Sequence, residues 1–174
     1  KDIEKLSQDK YIYYVKKKFK NYIPKAIRRI EISKPNGKLR PLGIPTIWDR
    51  IIQQCILQVL EPICEAKFHE RSNGFRPNRS IEHALAQCYR MMQQQQLHYV
   101  VDIDIKSFFD NVNHNKLLRQ IWRFGIRDKK LLKIIKIILK TPIQMPDETI
   151  IKSDKGTPQG GILSPLLCIN LQVI

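Results

Sequence analysis

The segment LHYVVDIDIKSFFDNVNH, residues 97–114, constrains the fold of this chain more than any other. Its β-branched and aromatic residues are typical of a buried strand, yet Asp102 and Asp104 stand two positions apart within it. Residues two apart face the same side of a strand. The pattern therefore predicts a strand over residues 97–105 whose two carboxylates share one face, while the hydrophobic residues between them pack on the other.

These two carboxylates need a compensating partner. A charged group in a half-buried strand is costly unless a hydrogen bond or a cation stabilises it. Magnesium prefers one or two carboxylates together with substrate phosphates, and an aspartate at a strand end beside a basic cleft suits two-metal phosphoryl transfer. Two aspartates on a strand fit a surface edge equally well, so the residues alone leave both interpretations open.

The charge of the chain points to a polyanionic partner. The formal net charge is +15 and the pI is about 9.8. The basic residues are concentrated in two regions: residues 1–40 hold 13 basic and 4 acidic residues, and residues 116–140 hold 9 basic residues and one acidic residue. The aspartates of residues 102–110 lie between these two regions, as expected of a metal site in a basic cleft. The alternative is a lysine-rich, solvated surface.

Length and cysteine content indicate the number of domains and the cellular compartment of the protein. A chain of 174 residues with 43% hydrophobic residues fits one domain, or one domain with a small lobe. The four cysteines show no CxxC spacing, and no stretch resembles a signal peptide or a transmembrane helix. We therefore expect a cytoplasmic protein with reduced, buried thiols and no membrane association.

Local signals predict the order of secondary structure. Pro35-Asn36-Gly37 is a strong turn signal and predicts a β-hairpin over residues 26–46. Ser80, Asn113 and Asp128 are good helix N-caps, and Gly125 is a good C-terminal residue. Helices are predicted from residue 4 to before Pro24, and over 47–67, 81–93, 114–124 and 129–140, with short strands within 142–152 and a final helix from residue 162.

Four blocks of sequence, taken in order, resemble the reverse transcriptases encoded by group II introns. They are ISKPNGKLRPLGIPTIWDRIIQQ, FHERSNGFRPNRSIEHAL, VVDIDIKSFFDNVNH and KGTPQGGILSPLL. The resemblance runs from about Lys25 to Leu167. It implies an α+β fold, the fingers and partial palm of a right-hand polymerase, which is mostly helical with a fingers β-hairpin and a small antiparallel palm sheet. It places the fingers in residues 1–100 and the partial palm in residues 101–174.

The resemblance assigns the catalytic and metal-binding residues. In this family the metal-binding aspartate of the third block lies five residues before an aromatic residue that discriminates between sugars. Asp104 and Phe109 have that spacing, so Asp104 is the expected catalytic metal ligand, with the carbonyl of Ile105 as a further ligand. Phe109 would exclude a 2′-hydroxyl by a steric clash. Asp102 is then structural, and the alternative for Phe109 is an ordinary core phenylalanine.

The resemblance also assigns binding residues. The nucleotide would contact Lys34, Lys38, Arg40, Phe109, Gln159 and Gly160. The template would contact Asn73, Arg76, Arg79 and Pro158. On the helix predicted to end at Lys140, one face carries Lys129, Lys133, Lys136 and Lys140, and the opposite face carries Leu132, Ile135 and Leu139. The lysine face would follow a phosphate backbone or structured RNA. Arginine and lysine suit phosphate, and the glycines let backbone approach a ligand closely. The alternatives are a solvated hairpin for the first set, and loop structure or a solvated helix face for the second.

The function implied is RNA-directed DNA polymerase activity of group II intron type, with assistance to intron splicing and mobility. The implied partners are an RNA template, group II intron RNA, a DNA primer and deoxynucleoside triphosphates, with two Mg²⁺ ions and with a homodimer left open. No Tyr-x-Asp-Asp motif follows Gly161, so we expect the 174-residue chain to be inactive alone. The alternative is a non-catalytic, maturase-type module that binds intron RNA.

Overall fold

The structure is a computed structural model that describes residues 3, 5–33, 35, 37–158 and 160–172, with the backbone alone for 170–172. Its elements in chain order are α1 (Gln8–Lys20), β1 (Ile27–Ser33), β2 (Leu39–Ile44), α2 (Ile47–Glu65), α3 (Ile81–Gln93), α4 (Phe108–Asn111), α5 (His114–Arg123), α6 (Lys129–Leu139), β3 (Ile143–Gln144), β4 (Ile150–Ile151) and α7 (Ser164–Gln172). This mixed composition, mainly helical with one small sheet, confirms the predicted α+β class.

The sheet has four strands in the order β2-β1-β3-β4. The predicted hairpin is confirmed: β1 and β2 are antiparallel, with Arg28 opposite Ile44 and Ser33 opposite Leu39. β3 runs parallel to β1, with Ile27 opposite Ile143, and β4 closes the sheet antiparallel to β3. The sheet thus joins the hairpin to residues 143–151, while the division into fingers and partial palm near residue 100 stays a prediction.

The helices begin where their capping residues predict. The Ser80 side chain accepts from the His83 amide in a capping box, and the Asn113 side chain accepts from the Lys116 amide. Asp128 caps α6 by accepting from the amides of residues 130 and 131. Side-chain acceptors satisfy amides that a helix leaves unpaired at its first turn, so the cap residues fix these boundaries locally.

The core lies between α2, α5, α6 and α7. Its largest fully buried side chains are Ile52, Leu60, Leu117, Ile121, Ile135, Leu163, Leu167 and Cys64. On α6 the predicted amphipathic pattern is confirmed, because Ile135 and Leu139 are buried while the lysines at 129, 133, 136 and 140 are exposed. None of the described helices is long and apolar enough to cross a membrane.

A buried carboxylate on α2 connects this helix to the segment between α1 and β1. Asp49 accepts from the Tyr22 hydroxyl at 3.0 Å and from the Thr46 hydroxyl at 2.5 Å. Burial, and then the charge of Asp49, raises the pKa of Tyr22 well above its ordinary value. The tyrosine therefore stays a neutral donor, which is what the buried carboxylate requires.

The strand predicted over residues 97–105 is wrong. This segment has no regular structure, and its apolar side chains face solvent: Tyr99 is 93% exposed and Ile103 is 84% exposed. A strand forms its hydrogen bonds only with a neighbouring strand. Within the described residues, no strand of the sheet lies beside this segment. Residues 97–105 therefore do not form a strand, although their composition favours one.

Candidate nucleotide-binding site

The candidate site begins where the exposed segment 97–105 turns into α4. Asp102 and Asp104 are exposed, and neither carboxylate has a hydrogen-bond or ion-pair partner among the described residues. Ser107 then adopts a left-handed conformation, with φ of 51°, before the single turn of α4. This bend ends the extended segment and directs residues 108–111 toward the core.

Phe109 lies at the boundary between the core and solvent. Its side chain is half-buried and packs against the hydrophobic core. Its ring lies 5.9 Å from that of Phe108, at an interplanar angle of 74°, which is the edge-to-face geometry that aromatic pairs prefer. Packing on the core and on Phe108 therefore holds the Phe109 ring in place. This position fits a residue that discriminates between sugars, and it equally fits a core residue at the edge of the core.

The loop from Lys155 to Pro158 lies against the turn that carries Phe109. The Thr157 amide donates to the Phe109 carbonyl at 2.7 Å, and the Gly156 amide donates to the Val112 carbonyl at 2.8 Å. The Lys155 ammonium donates to the Asn111 side chain at 2.9 Å. The third and fourth sequence blocks, more than 40 residues apart in sequence, are thus held together directly.

Glycines make this contact possible. Gly156 has a φ of +85°, and a Cβ there would lie 2.9 Å from the Asp110 carbonyl oxygen. Gly160 has a φ of +103°, and a Cβ there would lie 2.5 Å from the carbonyl oxygen of Gly43 on β2. Side chains are strained at such angles and have no space here, so glycine lets the loop approach both the Phe109 turn and the hairpin.

The loop is also anchored to two helices. The Ser164 hydroxyl at the start of α7 donates to the Pro158 carbonyl at 2.8 Å. The buried Gln53 side chain on α2 accepts from the Ile162 amide at 2.9 Å. Pro158, a predicted template contact, is half-buried at the centre of this arrangement.

The predicted phosphate-binding residues lie on the hairpin. Arg40 and Lys38 are exposed on and just before β2, the strand that Gly160 approaches. Predicted nucleotide contacts at Lys34 and Gln159 lie outside the described residues. Gly160 meets β2 at Gly43, whereas Lys38 and Arg40 lie nearer the turn of the hairpin, and their contact with a nucleotide stays a prediction.

A cavity of about 410 Å³ lies between the hairpin, β3 and the glycine loop. Three basic residues (Arg29, Lys152 and Lys155) and two acidic residues (Asp110 and Asp154) are among its lining. The Nε atom of Arg29 is buried and has no hydrogen-bond partner among the described residues. The sequence assigned no role to these five residues. Arg29, Lys152 and Asp154 lie outside the four blocks, and only the tertiary structure brings them to Asp110 and Lys155.

The three predicted template contacts in the loop before α3 differ in exposure. Arg76 is buried and ion-paired with Glu65, which matches the loop-structure alternative. Asn73 donates to the carbonyl of Arg71 and to the Gln87 side chain. Arg79 is half-buried and lines a polar pocket. Other residues of that pocket are Glu70, Arg71, Gln87, Arg90, Met91 and Gln95.

The positions of the potential metal ligands limit which metal sites the described residues can form. No three His, Cys, Asp or Glu side chains within the described parts of the chain lie close enough together to hold a metal ion. The exposed carboxylate of Asp104 fits the role of one magnesium ligand, because magnesium takes few protein carboxylates and more oxygens from phosphate and water. The described residues do not assemble a complete two-ion site by themselves.

Comparison with known proteins decides the family. The profile of the family described as reverse transcriptase (RNA-dependent DNA polymerase) matches residues 32–171. This chain belongs to the reverse transcriptase family. The resemblance to group II intron proteins is confirmed as well: the group II intron-encoded protein LtrA of Lactococcus lactis subsp. cremoris is 42% identical over 147 residues, covering 84% of this chain and 24% of LtrA.

Two further proteins are similar to this member of the reverse transcriptase family. Protein YkfC of Escherichia coli (strain K12) is 38% identical over 150 residues, covering 84% of this chain and 39% of YkfC. A chain of a solved structure described as a partial Cas6-RT-Cas1–Cas2 complex matches with a TM-score of 0.59 and 25% identity, covering 96% of this chain and 29% of that chain. The chain thus spans roughly a quarter to two-fifths of these relatives.

Proposed function

We propose that this chain is the nucleotide-binding part of a group II intron-type reverse transcriptase, which copies an RNA template into DNA. The observation that carries the proposal is the direct contact between the Phe109 turn and the Gly156–Pro158 loop. This contact brings the proposed sugar gate and the proposed nucleotide-binding loop together in a family whose described activity is RNA-dependent DNA polymerisation.

In this proposal the deoxynucleoside triphosphate lies between the loop and the hairpin. We expect the triphosphate to contact Arg40 and Lys38, and Lys34 as well, because a planar guanidinium makes paired hydrogen bonds to phosphate and lysine adds charge. The sugar lies on Phe109, whose ring leaves no space for a 2′-hydroxyl. Gly160 lets the backbone approach the nucleotide, and Gln159 contacts it through its amide.

Asp104 supplies one carboxylate for Mg²⁺, together with the carbonyl of Ile105. Its exposed position, adjacent to the bend at Ser107, leaves the carboxylate accessible to an ion and to substrate phosphate. When bound, the magnesium ions stabilise charge on the attacking and leaving oxygens. The chain's own residues position the nucleotide, exclude the ribose and hold the template.

The nucleic acids lie along the basic surfaces. The polar pocket at Arg79 also includes Arg71 and Arg90, and none of these three guanidinium groups forms an ion pair with a described residue. They are therefore available to the template phosphates. The lysine face of α6 (Lys129, Lys133, Lys136 and Lys140) contacts the phosphate backbone of structured RNA, including group II intron RNA.

The experiment uses the complete protein. Extension of a DNA primer on an RNA template is measured with Mg²⁺ and deoxynucleoside triphosphates, beside the same protein carrying Asp104→Asn. Template-dependent DNA synthesis by the first protein and its loss in the second support the proposal. Binding of template without synthesis by the unmodified protein contradicts it.

A maturase-type RNA-binding module is the second candidate. It is favoured by one observation, the exposed lysine face of α6, which can bind intron RNA whether or not the protein polymerises. Such a protein would bind intron RNA through the same basic surfaces and would increase splicing without polymerising. The test measures splicing of a group II intron RNA with the complete protein and with its Asp104→Asn variant. Equal splicing rates would show that support of splicing does not depend on DNA synthesis.

A further inference from the structure

His114, at the start of α5, makes a buried contact that no motif assigned. The side chain is 4% exposed, and its Nε2 lies 2.7 Å from the carbonyl oxygen of Gly156. A carbonyl oxygen only accepts, so Nε2 carries the proton and donates. The ring's Nδ1 is buried without a hydrogen-bond partner among the described residues. Among the described residues, the imidazole therefore forms a hydrogen bond only to the loop.

This bond adds to the contacts that already join the loop to the Phe109 turn. Amides of the loop donate to the carbonyls of Phe109 and Val112, and Lys155 donates to the Asn111 side chain. The His114 bond has the opposite direction: a buried side chain of α5 donates, and a carbonyl of the loop accepts. Gly156 is thereby held through both its amide and its carbonyl.

Holding both the amide and the carbonyl of Gly156 matters at this position. Gly156 has a positive φ, and a Cβ there would lie 2.9 Å from the Asp110 carbonyl oxygen, so the loop cannot move closer to the turn and cannot move away without breaking these bonds. The loop and residues 109–114 consequently form one unit. The position of the Phe109 ring relative to the backbone of Gly156–Pro158 is fixed by that unit rather than by the exposed segment that precedes it.

We propose that His114 is a positioning residue for sugar discrimination. Through its hydrogen bond to Gly156, it fixes the separation between the Phe109 ring and the nucleotide-binding loop. Without the donor, the loop relaxes away from the turn and the space at the sugar widens. The proposal rests on the proposed function, because the discrimination it explains is that of a polymerase.

The test uses a matched pair of variants in the complete enzyme. His114→Gln places its amide nitrogen near the position of Nε2 and keeps the donor. His114→Asn places its amide near the position of Nδ1 and cannot reach the carbonyl. Steady-state incorporation of one deoxynucleotide and of the matching ribonucleotide gives kcat and KM for each, and thermal unfolding reports the fold.

For His114→Asn we expect the ribonucleotide-to-deoxynucleotide ratio of kcat/KM to rise about threefold to tenfold, the scale of one lost hydrogen bond, mainly through KM. His114→Gln should restore the ratio to near the unmodified value. A merely structural role lowers the fraction of folded enzyme and thus the apparent kcat for both nucleotides, and leaves the ratio unchanged. An unchanged ratio in folded His114→Asn overturns the proposal, as does an equal rise in both variants.

Lys155→Met keeps the proposal testable if His114→Asn does not fold. Lys155 and Asn111 are both exposed, so this variant breaks a contact of the same unit without opening the core. A raised ratio then supports the proposal and an unmodified ratio overturns it. A complete unmodified enzyme that synthesises no DNA overturns the proposed function instead, and this outcome is distinct because it appears before any variant is compared.

Discussion

Arg76 Nη2 lies 2.5 Å from Glu65 Oε1, and this ion pair ties the loop before α3 to the end of α2. The same guanidinium donates to the carbonyls of His69 and Ser72 and lies 5.5 Å from the centre of the Phe68 ring. A template phosphate at Arg76 would have to compete with these contacts. The geometry therefore favours a role for Arg76 in holding the loop that presents its neighbours.

Arg76→Met should lower the free energy of unfolding by about 2–4 kcal/mol, because it leaves a partly buried carboxylate without its partner. Arg79→Met is the matched control: Arg79 forms no ion pair with a described residue, so its loss should change stability by less than about 0.5 kcal/mol. Urea denaturation measures both. A stable Arg76→Met protein with weakened template binding would show that Arg76 contacts the template after all.

Asp104→Ala should abolish primer extension by the complete enzyme, whereas Asp102→Ala should leave measurable activity. Only Asp104 has the five-residue spacing to Phe109, and a lost charge-stabilising group costs roughly a thousandfold or more in rate. Both carboxylates are exposed, so neither change should unfold the protein. Single-turnover extension measures the rates. Equal losses in the two variants would place the essential carboxylate elsewhere.

Phe109→Val should admit ribonucleotides into the complete enzyme while deoxynucleotide use persists. The smaller side chain opens space at the sugar and leaves Asp104 untouched. Phe109 also packs on the core, so a stability loss of about 1–3 kcal/mol accompanies the change. Phe108→Val is the control, since it removes similar packing from the neighbouring half-buried ring. Ribonucleotide use that rises equally in both variants would make Phe109 an ordinary core residue.

Binding of structured RNA should weaken steeply with salt. Each phosphate neutralised by lysine or arginine releases counterions, so roughly 5–8 contacts give a loss on the order of a hundredfold or more between 50 and 200 mM salt. Replacing the four lysines of the α6 lysine face, Lys129, Lys133, Lys136 and Lys140, by glutamine should reduce this slope. Fluorescence anisotropy at several salt concentrations measures it. A slope that is flat, or that the four changes leave intact, would exclude α6 from the RNA-binding surface.

Cys168 should resist alkylation at pH 8, whereas Cys88 should react. Burial raises the pKa of the Cys168 thiol to about 11, against a small opposing effect of the Thr157 hydroxyl 3.5 Å away, and the thiolate is the reactive form. Cys88 is exposed on α3. Iodoacetamide labelling followed by peptide mass spectrometry compares the two. Rapid labelling of Cys168 in the folded protein would contradict its burial under the loop.

The same thiol makes stability depend on pH. Because its folded pKa lies above its unfolded value, the contribution of protonated Cys168 is fully present below about pH 9 and is lost as pH rises toward 11. Cys168→Ala should therefore flatten the fall in unfolding free energy over that interval. A difference between the two proteins that stays constant from pH 8 to 11 would contradict the raised pKa.

Elements with local start and stop signals were predictable from the sequence. The hairpin about Pro35-Asn36-Gly37, the helices capped by Ser80, Asn113 and Asp128, and the amphipathic pattern of α6 all appear as expected, since these signals act over a few residues. Family membership followed from the order of four blocks. The spacing of Asp104 and Phe109 is likewise a property of the sequence, although their roles stay predictions.

Tertiary structure decided the rest, because it depends on partners distant in the chain. Residues 97–105 have the composition of a strand, but a strand needs a neighbour to accept its hydrogen bonds, and the sheet forms through β1 and β3 instead. From the sequence, Arg76 is predicted to contact the template, but in the structure it forms an ion pair with Glu65. From the sequence, His114 is only a residue in the first turn of a helix. Packing brings its side chain to the carbonyl of Gly156, 42 positions away.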